Sequence, residues 1–151
     1  MVIRSATLMD QTAIFRIALK EAERYPFLKP DAEKIKALII DAISSARHFC
    51  MVAEAGGGVK AVLIGLGGDN MWAQRQFCSI AMWVSKLPGA GAALLREFKK
   101  WVLSRPAIRV AGMSVDANVD PRALSLLDRI GFRRHGGAQL LYRMEHINGL
   151  V

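Results

Sequence analysis

The most constraining feature of the sequence is an apolar run that passes directly into a glycine-containing turn and then into an amphipathic segment. The run, Phe77–Ser85, is rich in β-branched and aromatic residues, which favour a strand. Pro-Gly-Ala-Gly follows at residues 88–91, and apolar residues then recur at helical spacing, which predicts a helix over residues 92–104. Such a turn aims backbone N–H groups and the positive end of the helix dipole at one point. The segment therefore predicts an α/β chain with an anion site at this turn.

The rest of the sequence predicts further strands and helices that complete a mixed α/β domain. Thr7 and Asp10 match a capping box, and the three glycines at 56–58 separate two β-rich runs as in a hairpin. We predict a strand at 2–6, a helix to 24, a helix capped by Asp31, strands at 48–55, 59–67 and 77–85, the helix at 92–104, a strand at 108–117, a helix to 130 capped by Asp120 or Asn118 and ended by Gly131, and a strand at 139–145. The order is β-α-α-β-β-β-α-β-α-β over one domain, residues 1–151, with helices on both faces of a central, mostly antiparallel sheet.

The formal net charge of +8 is concentrated in one part of the chain. Residues 86–143 hold 11 of the 21 Lys and Arg but only 4 of the 13 Asp and Glu. The remaining residues are close to neutral. Because this region contains the glycine turn, the question is which anion lies there.

Several classes of protein are disfavoured by the sequence. The longest uncharged apolar stretches are far shorter than the ~20 residues that span a bilayer, and the first residues lack the apolar core of a secretory signal. Cys50 and Cys78 lie inside apolar runs, which predicts buried free thiols in a reducing cytoplasm. The three histidines are isolated, so we expect no metal site.

Two motifs together make the chain resemble a known family. Lys86, Gly89 and Gly91 fall on an Arg/Gln-x-x-Gly-x-Gly/Ala pattern that follows a strand, with Lys in place of Arg or Gln. Residues 123–132, Ala-Leu-Ser-Leu-Leu-Asp-Arg-Ile-Gly-Phe, are similar to an Ala-x-x-Leu-Tyr-x-x-x-Gly-Phe helix. With the order of elements over residues 1–146, the chain resembles the GCN5-related N-acetyltransferase (GNAT) family. The resemblance implies a GNAT-like fold and acetyl-CoA-dependent acetyl transfer to an amine.

The resemblance also implies where acetyl-CoA would bind. The strand at 77–85 would splay from the strand at 108–117, and the pantetheine arm would lie in the gap, paired with backbone groups of Met82 and Val84. Amide groups of residues 89–93 would hold the pyrophosphate, which gives the local positive charge a sufficient explanation. The implied cofactor-binding residues are Met82, Trp83, Val84, Lys86, Gly89, Ala90, Gly91, Ala92, Ala93 and Asn118.

The catalytic residues stay open because the sequence departs from the family. Leu127 stands where members often have a Tyr that protonates the departing thiolate, and Asp120 stands where they often have Asn, with Asn118 nearby. Cys78-Ser79 stands where members often have a Glu base. A thiol of pKa ~8.5 that leaves unprotonated at neutral pH costs ~2 kcal/mol, which slows transfer without preventing it. The candidates for acid and base roles are Glu54, Ser79, Asp116 and Tyr142, with Asp69 as a further candidate base. The loop at 69–76, with Trp72, is a candidate wall of the acceptor cleft.

Two functions are compatible with this sequence. The first is an N-acetyltransferase in which a primary amine attacks the thioester directly, with a small molecule or a protein as acceptor. The second is a catalytically impaired acyl-CoA-binding or protein-interaction module on the same fold. The short apolar stretches predict no membrane partner, and homodimers are common in the family that the chain resembles. Without a zinc-finger or RRM-type motif, the positive charge does not predict a nucleic-acid partner.

Overall fold

The computed structural model describes residues 1–115 and 119–135 of the chain. Its elements are β1 (Val2–Ser5), a 3-10 turn (Leu8–Asp10), α1 (Gln11–Ala22), α2 (Ala32–Ser44), β2 (Phe49–Ala55), β3 (Gly58–Gly68), β4 (Phe77–Ser85), α3 (Ala90–Leu103), β5 (Val110–Gly112) and α4 (Pro121–Ile130). The predicted order is confirmed through α4. The last predicted strand, residues 139–145, lies outside the described residues.

The five strands form one sheet in the order β1-β2-β3-β4-β5. The strands from β1 to β4 pair antiparallel with their neighbours, and β5 pairs parallel with β4. α1 and α2 cover one face of this sheet, while α3 and α4 cover the other. The predicted mostly antiparallel sheet with helices on both faces is therefore confirmed.

Each face of the sheet buries its own hydrophobic core, because successive strand residues point to opposite faces. On the face under α1 and α2, Ile14 and Ile39 pack on strand residues such as Val62. On the other face, Phe98 of α3 is fully buried. Its ring centroid lies 5.3 Å from that of Phe49, which anchors α3 to the sheet.

The helix ends follow the predicted capping residues. The carboxylate of Asp31 accepts the N–H of Lys34 at 3.0 Å, and that of Asp120 accepts the N–H of Arg122 at 2.8 Å. At the other end of α4, Gly131 has a φ of 112°, a conformation that favours glycine. Of the two caps proposed for α4, the structure confirms Asp120; Asn118 lies outside the described residues.

Two predicted boundaries are wrong. α3 begins at Ala90 rather than at residue 92, because Gly89 already provides the N-terminal cap position in a left-handed conformation. β5 covers Val110–Gly112 rather than residues 108–117. Within the described residues, the pairing of β5 with β4 ends at Gly112, because β4 diverges from β5 beyond that point.

The sequence predicts that both cysteines are buried free thiols. Cys50 and Cys78 are buried free thiols in the structure. None of the helices in residues 1–115 and 119–135 has the length and apolar character needed to cross a bilayer.

Arg4 on β1 joins two carboxylates across the start of α1. Its guanidinium donates to both carboxylate oxygens of Asp10, at 2.7 and 2.8 Å, and to Glu54 Oε2 at 2.8 and 3.1 Å. Asp10 is 6% exposed and also accepts the N–H of Thr7 at 2.8 Å. The predicted capping box is therefore present, and the same carboxylate ties α1 to β1.

We expect Asp10→Asn to destabilise the protein at neutral pH and to flatten its acid unfolding. The hydrogen bonds from Arg4 lower the pKa of Asp10 from 3.8 to about 2. The folded carboxyl therefore stays ionised where the unfolded one is protonated, and contributes about 2 kcal/mol above roughly pH 4. That contribution is lost as the pH falls towards 2.

Urea unfolding of both proteins at a series of pH values from neutral to about 2.5 tests this prediction. The difference in free energy of unfolding is expected to shrink as the pH falls. A constant difference over that range would show that the pKa of Asp10 is not lowered by folding.

Candidate functional site

An extra residue in β4 bends the strand at the centre of the sheet. β3 residue Ile64 lies opposite Met82, but Gly65 lies opposite Ile80, so Ala81 has no partner of its own. Such β-bulges increase twist and are common beside active sites. Because of the bulge, the side chains of Ile80 and Met82 point to opposite faces of the sheet. Ile80 packs into the core under α3, and Met82 packs into the core under α1.

A gap opens between β4 and β5 beyond this bulge. β5 pairs with β4 only at Phe77, Cys78 and Ser79. Within the described residues, β4 therefore has no strand partner on this side from Ile80 to Ser85. The predicted splay of these two strands is present, and it leaves the edge of β4 open.

The register of β4 decides which backbone groups face the gap. The N–H of Lys86 donates to the carbonyl of Lys60 on the β3 side, at 3.0 Å. Because alternate residues of a paired strand bond to the same neighbour, Val84 and Met82 also turn their backbone groups to β3. The amides and carbonyls of Trp83 and Ser85 turn to the open edge. The backbone groups of Met82 and Val84, for which a pairing role with the pantetheine arm is predicted, are therefore used by β3, and those of Trp83 and Ser85 are the ones that face the gap.

The turn after β4 is held by its own hydrogen bonds. The Ser85 hydroxyl donates to the carbonyl of Leu87 at 2.9 Å, and the same carbonyl accepts the N–H of Ala90 at 3.1 Å. Gly89 has a φ of 79°, and its carbonyl accepts the N–H of Ala93 at 3.0 Å. The amides of Ala90 and Ala93, which were expected to bind an anion, are thus used inside the turn.

The amides of Gly89, Gly91 and Ala92 remain for an anion. None of the three has an acceptor among the described residues, and no side chain caps the start of α3. Uncapped amides at a helix N-terminus, together with the helix dipole, form a site for negative charge. The predicted anion site therefore narrows to the first turn of α3, with Gly89 beside it.

A contact with Trp83 places this first turn against β4. The indole Nε1–H of Trp83 donates to the carbonyl of Gly91 at 3.1 Å. A Cβ at residue 91 would lie 3.3 Å from that nitrogen and 3.4 Å from the Cβ of Ser85. A side chain here would require Trp83 or Ser85 to shift by a few tenths of an ångström, so Gly91 has a packing role in addition to its free amide.

Ionisable groups are scarce along the gap. Residues 77–85 and 110–115 contain a single ionisable side chain, that of Cys78. Burial raises the pKa of this thiol to about 11, although Arg105 acts in the opposite direction. The thiol is therefore neutral at physiological pH, which argues against Cys78 as an acyl carrier. At the end of the gap, Lys86 is exposed beside the turn.

The described acid and base candidates do not gather at the gap. Glu54 is bound to Arg4 on β1, with β3 between it and β4. Ser79 is half-buried at the closed end of the gap, opposite Gly112. Leu127, at the position implied for a tyrosine, is buried in the core beneath α3 and α4. Asp116, Tyr142 and the cofactor candidate Asn118 lie outside the described residues.

The loop at 69–76, which the sequence predicts as a wall of the acceptor cleft, lies at the end of β4 opposite to the glycine turn. It joins the end of β3 to the beginning of β4, whereas the glycine turn follows the end of β4. Trp72 is 86% exposed rather than anchored, and Asn70 holds the loop by accepting the N–H of Trp72 at 2.9 Å. Asp69 accepts the N–H of Arg75 at 2.7 Å, which gives it a structural role within the loop.

The chain is similar to known proteins in structure, although its sequence matches none of them closely. No protein-family model matches its sequence, and no curated protein sequence matches it significantly. Solved structures do match. An acetyltransferase of the GNAT family from Streptococcus pneumoniae superposes with a TM-score of 0.72 and 17% identity, covering 93% of this chain and 90% of that one. A possible acetyltransferase from Clostridium difficile 630 gives 0.71 and 15%, covering 93% and 95%.

An enzyme with a named acceptor is also similar. The aminoglycoside acetyltransferase meta-AAC0020 from an uncultured soil metagenomic sample, in complex with sisomicin, gives a TM-score of 0.64 and 17% identity, covering 93% of each chain. At these identities the matches establish a common fold over nearly the whole of each chain.

Proposed function

We propose that this chain, which has the fold of the GCN5-related N-acetyltransferases, binds acetyl-CoA and transfers its acetyl group to a primary amine. One observation carries the proposal. The open edge of β4, beyond the bulge at Ala81, runs directly into the uncapped first turn of α3. A linear strand edge that ends at an anion site is complementary to a ligand with an amide-containing arm and a pyrophosphate.

The residues present fit acetyl-CoA. The amides of Gly91 and Ala92 would bind its pyrophosphate, and the absence of a Cβ at Gly89 lets a phosphate approach the backbone. The outward backbone groups of Trp83 and Ser85 would pair with the amides of its arm, as one strand pairs with another. Lys86 would add positive charge beside the phosphates. When bound, acetyl-CoA supplies an acetyl group already activated as a thioester.

The chain itself would contribute positioning and one electrostatic effect. The N–H of Trp83 faces the gap close to the bulge, where it would stabilise negative charge that develops on the reacting carbonyl oxygen. Removing one such donor in other enzymes costs ~3–4 kcal/mol of transition-state stabilisation. No carboxylate or imidazole is found on 77–85 or 110–115 to accept the proton of the amine. Asp116 and Tyr142 stay candidates for proton transfer.

A binding module without catalysis is the second candidate, and two observations favour it. Leu127 is buried in the core, so this position cannot supply a proton to a leaving thiolate. The strands that border the gap lack a base in the residues named above. Both observations concern the chemical step and leave the binding of acetyl-CoA unaffected.

One pair of measurements tests the proposal. Calorimetry is expected to show acetyl-CoA bound to one site per chain. With acetyl-CoA present, release of free thiol is then followed with an aminoglycoside, a polyamine, an amino acid and a peptide with a free N-terminus. The buried Cys50 and Cys78 are expected to add little background to this assay.

The outcomes separate the two functions. Binding with thiol release supports the enzyme and identifies the class of acceptor, small molecule or protein. Binding without release for every amine supports the module. A protein that does not bind acetyl-CoA at millimolar concentration contradicts both.

A further inference from the structure

Two side chains of β4 hold the glycine turn in place. The indole Nε1–H of Trp83 donates to the carbonyl of Gly91 at 3.1 Å, and the hydroxyl of Ser85 donates to the carbonyl of Leu87 at 2.9 Å. Both side chains lie on the α3 face of the sheet, because residues two apart in a strand point to the same face. The backbone groups of these same two residues face the gap. The open edge of β4 is thus tied to the turn by its own side chains.

The two hydrogen bonds fix different parts of the turn. The bond from Ser85 reaches a carbonyl two residues away and holds the bend that follows the strand. The bond from Trp83 reaches across eight residues into the first turn of α3. In the part of the chain that the structure describes, it is the one side-chain hydrogen bond that joins β4 to α3. The indole therefore sets the position of the uncapped amides of α3 relative to the open strand edge.

Packing holds the indole in this orientation. Trp83 is half-buried and packs on the hydrophobic core under α3. In the pairing of β4 with β3 it lies opposite Leu63, which is fully buried in the same core. On its other side the glycine at position 91 leaves room for the ring, since a Cβ there would lie 3.3 Å from Nε1. The hydrogen bond to the first turn of α3 is therefore made by a ring that has little freedom to move.

The separation of the strand edge and the helix start matters for a ligand that binds to both. Given the proposed binding of acetyl-CoA, on which this inference rests, the amide-containing arm lies on the strand edge and the pyrophosphate on the amides of α3. Two linked groups reinforce each other only if their sites are held at the matching distance. If the helix start has to be ordered when the ligand binds, part of the binding free energy is lost. A thioester that lacks the pyrophosphate uses the strand edge alone and is insensitive to this distance.

We propose that the indole of Trp83 is the positioning group that makes this site selective for thioesters that carry a pyrophosphate, such as coenzyme A thioesters, over thioesters of pantetheine alone. The selectivity depends on the side chain, because any residue at position 83 presents a backbone N–H and carbonyl to the gap. The Nε1–H acts through the carbonyl of Gly91 and does not itself contact the ligand. A substitution that removes only this N–H therefore separates the positioning role from the backbone contacts.

Trp83→Phe tests the proposal, since it removes the Nε1–H and keeps an aromatic ring in the core. Calorimetry is expected to show acetyl-CoA bound about fivefold more weakly, the usual net effect of one hydrogen bond. S-acetylpantetheine, which has the arm and the thioester but no phosphate, is expected to bind equally to both proteins. Its relative affinity is given by the initial slope of the backbone amide shifts against concentration. Trp72→Phe, at a residue that is 86% exposed beyond the other end of β4, is the matched control and is expected to bind both ligands like the unmodified protein.

Hydrogen exchange of the indole provides a second measurement on the unmodified protein, which does not require the variant to fold. Because coupling between two events is reciprocal, a ligand whose binding is improved by the indole bond also stabilises that bond. Acetyl-CoA is therefore expected to slow the exchange of the Trp83 Nε1–H with solvent, and S-acetylpantetheine is expected to leave it unchanged. Equal slowing by the two ligands, or none by either, would overturn the proposal.

The binding data separate this proposal from the function on which it rests. Unchanged acetyl-CoA affinity in a folded Trp83→Phe protein contradicts the positioning role alone. Equal weakening of acetyl-CoA and S-acetylpantetheine contradicts it as well, because it would mean that the indole only supports the strand edge. An unmodified protein that does not bind acetyl-CoA contradicts the proposed function and the positioning role together.

Discussion

Gly91→Val is expected to weaken acetyl-CoA binding by at least tenfold. A Cβ at this position already lies 3.3 Å from Trp83 Nε1 and 3.4 Å from the Cβ of Ser85, before any branch is added. The two methyl groups of valine would force the first turn of α3 away from β4. The free amides of the turn and the open strand edge would then no longer lie in line, and one lost charge-assisted contact is sufficient for a tenfold effect.

Calorimetry with acetyl-CoA measures this effect, and a thermal melt shows whether the variant is folded. The matched control is Gly58→Val, at a position where a Cβ would contact nothing within 4 Å and where valine suits the strand. It is expected to bind acetyl-CoA as the unmodified protein does. A folded Gly91→Val protein with unchanged affinity would mean that acetyl-CoA does not bind at this turn.

The strand, turn and helix at 77–103 could be predicted because their signals are local. The apolar run ends at Ser85 in both sequence and structure, since the polar residues and proline that follow cannot continue it. The sequence predicts the start of this helix two residues late, because it assigns both glycines, Gly89 and Gly91, to the turn. In the structure Gly89 is already the cap of α3, and its conformation could not be read from its identity alone.

The geometry of the gap could not be predicted, because it depends on pairing between distant residues. Both faces of β4 are covered by helices, so its side chains show no alternation that a bulge at Ala81 would interrupt. Apolar residues also continue beyond Gly112, although the pairing of β5 with β4 ends there. The family resemblance implies the splay, but only the pairing of β4 with β3 shows that Trp83 and Ser85, and not Met82 and Val84, face it.

The surroundings of two acid and base candidates, Glu54 and Asp69, could not be predicted for a similar reason. Glu54 was considered because it is a carboxylate near the end of a strand, but its partner Arg4 is 50 residues away in sequence. Asp69 likewise bonds within its own loop. A carboxylate paired with a cation is a weaker base, and whether a cation lies beside it is decided by tertiary contacts.

Phe98→Ala is expected to have the largest effect on stability, about 3–5 kcal/mol of free energy of unfolding. The ring is fully buried and packs between Phe49 and Trp101, with centroid distances of 5.3 and 6.2 Å. The substitution leaves a cavity that these rings can fill only in part. Urea unfolding measures the loss, and Leu103→Ala, at a residue that is 73% exposed on the same helix, is the control with an expected change within about 0.5 kcal/mol.

Gly65 couples this ring to the bulge in β4. A Cβ on Gly65 would lie 2.5 Å from Cε2 of Phe98, and Gly65 is the residue of β3 at which the register with β4 shifts. Gly65→Ala is therefore expected to destabilise the unmodified protein, because the packed ring cannot move away. In the Phe98→Ala protein the same methyl group has room, so the two losses should be less than additive by about 1 kcal/mol or more. Strict additivity of the two losses would contradict this expectation. It would show that Gly65 is required for the bent backbone of the strand and not for space beside the ring of Phe98.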